Sequence, residues 1–247
     1  MSEPAVPAKS PARVLVMVDQ PLLVEVIRLT LDHGDYVTRE AEDVSEATTA
    51  LEAWQPHLAV IDFDIGGDVL MRRMAPVGTG GATRVPVLAL TRRGDLKTKL
   101  AAFEHGADDV MTIPFSPEEL LARVLVITRR VLGESAPFNP VLKLGEIEID
   151  ILHRRVRAGA SEVYLTGLEQ SLLYLLAANA GHVVARGEIL DALWGVDYVS
   201  ESNVVDRHVR NLRAKLQNDW RKPRFIETVP GKGYRFIPTF SGPAHAS

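Results

Sequence analysis

The 247-residue chain contains no cysteine, which excludes disulfides, thiolate metal sites and cysteine nucleophiles. It has no run approaching the ~18 consecutive apolar residues of a membrane span. Its first twelve residues, MSEPAVPAKSPA, lack the apolar centre of a secretory signal. A cytoplasmic location with no membrane partner is therefore expected. No internal repeat is visible, and neither sign of charge dominates, the formal net charge being -4. What is present is ordinary globular usage, 46% hydrophobic and 24% charged. That composition supplies enough apolar material for real cores and excludes wholesale disorder. At roughly 100–200 residues per domain the length allows one large domain or two ordinary ones.

The charge is unevenly placed. Residues 1–140 hold 14 Lys and Arg against 20 Asp and Glu, whereas residues 141–247 hold 14 against 12. Within Asn203–Arg235 nine basic residues stand against Asp206, Asp219 and Glu227. A local excess of this kind suits a polyanion, because Lys and Arg that neutralise phosphates release counterions.

Apolar runs of strand length occur at Val14–Val18, Leu58–Ile61, Val85–Leu90 and Val110–Ile113, with a weaker extended piece at Tyr36–Arg39. Between them lie segments with the spacing of amphipathic helices, such as Leu22/Val26/Leu29 and Leu120/Val124/Ile127. Continuous apolar strands alternating with helices predict an α/β unit over residues 12–133, a five-stranded, doubly wound parallel sheet covered on both faces. The segment GESAPFNP has two prolines and few apolar anchors, so residues 134–140 read as a linker. Beyond it come short alternating strands at Leu142–Leu144, Glu146–Asp150, Arg155–Arg157 and Glu162–Leu165. Helices at Leu168–Asn179, Arg186–Trp194 and Asn203–Gln217 follow, then a hairpin at Phe225–Ile237. These elements predict a second, α+β unit over residues 141–240, with flexible tails at 1–11 and 241–247.

In open parallel sheets, ligands bind outside the carboxyl ends of the strands. Asp19 follows the first run, Asp62 the third and Thr91 the fourth, so two carboxylates and a hydroxyl should converge on one crevice. Such oxygen ligands suit Mg²⁺. Asp62 would then attack a phosphoryl group while Thr91 donates to a phosphate oxygen.

The stretches VLVMVDQPLL, LAVIDFD, LALT and GADDVMTIPFSPEELLARV resemble the receiver domain of two-component response regulators over about Arg13–Arg130. The resemblance implies that Asp62 is the phosphoacceptor, Asp19 a metal ligand and Thr91 the switch hydroxyl, with the Asp64 carbonyl completing the metal shell. It also marks Ile113–Pro114 as a candidate cis bond against the trans default. A charged dimer face would draw on Lys97, Lys99, Asp108, Asp109, Glu119 and Arg123. Three positions depart from the family pattern: Val18 replaces a second acidic residue, Ile113 the lysine that pairs with the phosphoryl group, and Val110 the aromatic switch residue. A branched hydrocarbon cannot bind phosphate as a point charge does. Two readings stay open. In one, a sensor histidine kinase phosphorylates Asp62 with Mg²⁺; in the other, the receiver controls dimerisation without phosphorylation.

On a helical wheel of Asn203–Gln217, Val205, Val209, Leu212 and Leu216 form one stripe that should face the core. The opposite side carries Asn203, Arg207, Arg210, Asn211 and Ala214, flanked by His208, Arg213 and Lys215. Arg and Asn on one exposed face can make bidentate contacts to guanine and adenine edges in the major groove, while flanking cations reach phosphates. Ser202 or Asn203 is the candidate N-cap. Downstream, FIETVPGKGYRFIP reads as two strands with Lys232 at the tip of the turn.

The stretches YLTGLEQSLLYLLAANAGHVVARGEILDALWG, SNVVDRHVRNLRAKL and RFIETVPGKGYRF resemble the winged-helix effector domain of the OmpR/PhoB response-regulator family over about Val141–Phe240. The resemblance implies that Arg207 and Asn211 face bases and that His208, Arg210 and Arg213 lie near the backbone. It departs at Pro230, where an arginine is common, and at Gly167 and Gln170, where bulkier residues are usual. The expected function is that of a DNA-binding transcriptional regulator and not an enzyme. It would be a homodimer on double-stranded DNA, with RNA polymerase as a further partner. The alternative is an aspartate-nucleophile phosphohydrolase, because LAVIDFD also fits an apolar run followed by D-x-D; Asp62 would attack and Asp64 would be the general acid.

Overall fold

The computed structural model describes residues 11–32, 36–74, 84–133, 141–150, 153, 155–195, 198, 203–216 and 218–237. The first unit runs β1 (Ala12–Met17), α1 (Pro21–Leu31), β2 (Tyr36–Glu40), α2 (Val44–Trp54), β3 (Leu58–Asp62), a 3-10 turn (Phe63–Ile65) and α3 (Gly67–Met74). It continues through β4 (Val87–Thr91), α4 (Leu96–Glu104), β5 (Asp109–Thr112) and α5 (Pro117–Leu132). All strand pairs are parallel, in the order β2-β1-β3-β4-β5. Successive strand residues point to opposite faces. Val14, Val16, Val60 and Leu90 therefore enter one core with α1 and α5, while Leu15, Met17, Ile61 and Ala89 enter the other with α2, α3 and α4. Two covered faces are the reason these strands read as unbroken apolar runs. The Ile113–Pro114 bond is cis.

The second unit begins with an antiparallel sheet of β6 (Val141–Leu144), β7 (Ile147–Asp150), β8 (Arg155–Ala158) and β9 (Ser161–Val163), paired in chain order. Then come α6 (Gly167–Ala178), β10 (Val183–Ala185), α7 (Arg186–Trp194), α8 (Val204–Lys215), β11 (Ile226–Val229) and β12 (Gly233–Phe236). The last two strands form the wing and pair with β10 in the order β10-β12-β11. The two units touch, because α6 packs on α1 and one apolar core cluster runs through both. The expected linker at 134–140, residues 1–10 and 241–247 of the expected tails, and Ser202 lie outside the described residues.

Strand β10 was not expected from the sequence. A three-residue run is too short to show alternation, and it exists by pairing with β12, Ala185 opposite Gly233. There the backbones approach so closely that a Cβ on Gly233 would stand 2.1 Å from the Val184 carbonyl oxygen.

Helix α6 starts at a capping box. Thr166 accepts from the Glu169 amide at 3.3 Å, and Glu169 accepts from the Thr166 amide at 2.8 Å. Glu169 also receives the Lys215 ammonium at 2.6 Å, which ties α6 to the end of α8. Burial pushes the Glu169 carboxyl up, but the Lys215 and Thr166 bonds outweigh it and hold the group below its usual range. Glu169→Gln should cost about 2 kcal/mol, the scale of a hydrogen bond to a charged group. Because the folded pKa lies below the unfolded one, this stabilisation is full above the unfolded carboxylate pKa and is lost as pH falls through the folded value. Denaturant titrations should show a gap between wild type and variant at neutral pH that closes in acid.

Candidate nucleic-acid interface and the carboxylate crevice

The recognition face is set by the apolar stripe beneath it. Val205, Val209, Leu212 and Leu216 are buried, as their spacing predicts. Asn203, Arg207, Arg210, Asn211 and Ala214 are exposed on the other side. Among the described residues, the side chains of Arg207, Arg210, Asn211 and Lys232 have no hydrogen-bond or ion-pair partner. Asn203 is the N-cap residue of α8 but makes no side-chain capping bond. Lys232 is exposed at the wing tip, where its amide donates to the Val229 carbonyl at 3.0 Å and Gly231 takes a φ of 71°.

Three residues of the expected set are committed inside the fold. Arg213 donates to the Ile226 carbonyl at 3.0 and 3.1 Å and to Thr228 Oγ1 at 3.0 Å, so its charge fastens α8 to β11. The Lys215 ammonium is held by Glu169. The His208 ring lies 5.4 Å from that of Trp194, and burial, with Arg207 nearby, pushes its pKa below the usual imidazole value. The ring is thus half-buried against α7. A helical wheel shows which side faces water but not which long side chains fold back onto neighbouring elements.

A polar cluster that the sequence did not signal fixes the helix further. Arg186 reaches Asp206 at 2.8 Å and stacks over Tyr234, whose hydroxyl also donates to Asp206. Burial, then Asp206, pushes the Tyr234 phenol up to about 12. Asn218, buried after α8, donates to the Ile226 carbonyl at 3.0 Å and accepts from the Phe225 and Arg224 amides at 2.6 and 2.7 Å. Helix and wing are thus joined before any ligand arrives.

The crevice of the first unit forms where topology demands. Asp62 ends β3, Thr91 ends β4, and Asp19 follows β1. Asp62 is fully buried, with the Asp64 amide donating to it at 2.9 Å. Burial raises its pKa, opposed by that amide and by Arg92, and assisted by Asp19 and Asp64. Arg92 is the residue that sequence reasoning passed over. Its guanidinium donates to Asp62 at 2.9 Å and to Asp19 at 2.5 Å. Its amide donates to Asp64 at 2.8 Å. The available signal was its place directly after Thr91 at a strand end, the position that faces the crevice.

Asp64 turns its carboxylate to Thr91 Oγ1, at 3.1 Å, and Thr91 in turn accepts from the Arg93 amide at 3.0 Å. Asp64 thus accepts from both the Thr91 hydroxyl and the Arg92 amide. Val18, Val110 and Ile113 are all buried hydrocarbons. The arrangement does not fit Mg²⁺, which needs free oxygen ligands: the two carboxylates that would hold it are spanned by a guanidinium, and no acid stands at Val18.

A doubly wound sheet with an acidic crevice, followed by a winged helix with an outward basic face, defines a class of two-unit regulators that join a receiver to a DNA-binding domain. Residues 14–125 match the response regulator receiver domain, and residues 160–236 match the C-terminal domain of transcriptional regulatory proteins. The chain is 33% identical over 227 residues to the transcriptional regulatory protein KdpE of Mycobacterium tuberculosis, covering 90% of this chain and 98% of that one. It is 33% identical over 228 residues to the DNA-binding response regulator MtrA of Mycolicibacterium smegmatis, covering 92% and 97%. The crystal structure of DrrB, an OmpR/PhoB homolog from Thermotoga maritima, matches at 28% identity over 92% of this chain and 99% of its own, with a TM-score of 0.41. The chain belongs to the OmpR/PhoB family of response regulators. No helix among the described residues is long and apolar enough to cross a membrane.

Proposed function

We propose that the chain regulates transcription by binding double-stranded DNA as a dimer. Helix α8 enters the major groove, and Lys232 at the wing tip meets the backbone or the adjacent minor groove. The observation that carries this reading is the exposed row Arg207, Arg210, Asn211 and Ala214, at i, i+3, i+4 and i+7, set on a helix whose other face is buried. Arg207 and Asn211 read base edges, and Arg210, Asn203 and Lys232 lie along the phosphates. His208, Arg213 and Lys215 serve by holding the helix. RNA polymerase is the further partner that occupancy of such sites implies.

The dimer surface we assign to α4. Leu96, Leu100 and Phe103 are 72%, 51% and 47% exposed and share one helix face. Lys97 and Lys99 lie on the same helix. The other charges expected at this face are paired within the chain: Arg123 with Asp109 at 2.6 Å and with Glu119 at 2.8 Å, and Asp108 with Arg84 at 2.6 Å. An apolar row therefore supports pairing better than those charges do.

Selection from a random duplex pool tests both parts. Wild type should enrich two half-sites one helical turn, or a multiple of it, apart. Leu100→Asp should retain the half-site and lose the fixed spacing. A wild-type pool that enriches no motif would overturn the DNA reading, and an unchanged spacing in the variant would overturn the α4 assignment.

A further inference from the structure

The crevice carboxylates meet one residue three times. Arg92 follows Thr91 at the end of β4; its amide binds Asp64, and the two ends of its guanidinium bind Asp62 and Asp19. We infer that Arg92 is a tethered counter-ion, which neutralises the receiver crevice from within and excludes divalent metal, so that the receiver holds its arrangement without Mg²⁺ or a phosphoryl group.

The chemistry follows from what each partner needs. A Mg²⁺ ion takes hard oxygen ligands in a near-octahedral shell. A guanidinium presents donors in a fixed planar fork and accepts none, so where it grips Asp62 and Asp19 those oxygens are unavailable to a metal. The tether makes the competition unequal, because Arg92 is bonded to the strand that forms the site and is always present. Its side chain is only 23% exposed and Asp62 is 0% exposed, so solvent screens the ion pair weakly.

Two other features agree with a crevice closed from within. Thr91 is buried, its hydroxyl directed at Asp64 and its oxygen occupied by the Arg93 amide. Ile113 supplies no cation for an incoming phosphate, and Val18 supplies no second carboxylate. One fixed cation thus stands where a metal and a lysine would otherwise share the neutralisation. The inference rests on the receiver reading of the first unit and stands apart from duplex binding.

The test is Mg²⁺ titration of the full chain, followed by calorimetry and by amide NMR shifts at Asp19, Asp62 and Thr91. Wild type should show at most weak binding at those amides. Arg92→Ala and Arg92→Gln should each gain it, with affinity at least about ten-fold above wild type, the effect expected for removing one unit charge a few ångströms away. Arg92→Gln retains most of the side-chain bulk and guards against a packing artefact, and thermal melts show that each variant is folded. Saturable wild-type binding as tight as that of the variants would overturn the inference, as would folded variants that gain none. Either result would leave duplex affinity, measured in parallel without Mg²⁺, as a separate matter.

Discussion

Replacing Arg207 with Ala should lower the affinity for a selected duplex by about 1–3 kcal/mol and relax discrimination at one base position. The size of the effect follows from where Arg207 stands. It lies on the exposed face of α8 without a partner among the described residues, so the side chain breaks no internal bond to meet a base. The helix that carries it is already fixed: Arg213 anchors it to Ile226 and Thr228, Lys215 to Glu169, and Asp206 to Arg186 and Tyr234. A pre-organised contact loses little of its free energy to ordering. Titration at several salt concentrations separates the two kinds of contact. Arg210→Ala or Lys232→Ala should weaken all sequences evenly and reduce the salt slope by about one. Arg207→Ala should also change which duplex is preferred.

Gly233→Ala should destabilise the second unit by about 3 kcal/mol or more, the upper range for forced overpacking. A Cβ at this position would stand 2.1 Å from the Val184 carbonyl oxygen and 2.9 Å from the Ala185 Cα. Both are backbone atoms of β10, and neither can move without opening the pairing of β10 with β12. Gly231, two residues away at the wing tip, is the matched comparison. Open space surrounds it, but its φ of +71° disfavours a side chain, so Gly231→Ala should cost only about 1 kcal/mol. Denaturant unfolding of the two variants distinguishes steric exclusion from backbone strain. Comparable midpoints would show that β10 yields more readily than its pairing suggests.

The elements that the sequence revealed are those with enough length to display a period. Five apolar strands and the buried stripe of α8 lie within a residue or two of their expected places, and helices fill the gaps between the strands. Each is dictated by which faces are covered. Strand β10 escaped because three residues carry no period, and its existence depends on a partner fifty residues downstream. The crevice was legible for the same topological reason that strand ends are, and Asp19, Asp62 and Thr91 stand at its rim. The position of Arg92 after Thr91 was legible, but the carboxylates it grips were not, because the reach of a long side chain across a crevice is decided by its neighbours' charges and not by local pattern. The same reason separates Arg207, Arg210 and Asn211 from His208, Arg213 and Lys215. All six share a helix surface in projection, but three find acceptors or rings on α6, α7 and β11 and are used there.

The most direct measurement places a photo-crosslinking side chain at Ala214, exposed one turn beyond Arg210 and in line with Arg207, and irradiates the full chain with its selected duplex. A control position at Glu52 lies exposed on α2, in the first unit. Covalent adducts to DNA should form from position 214 and not from position 52, and they should vanish when excess unlabelled selected duplex is added. Efficient binding without an adduct at position 214 would mean that another surface meets the DNA and would contradict a major-groove role for α8.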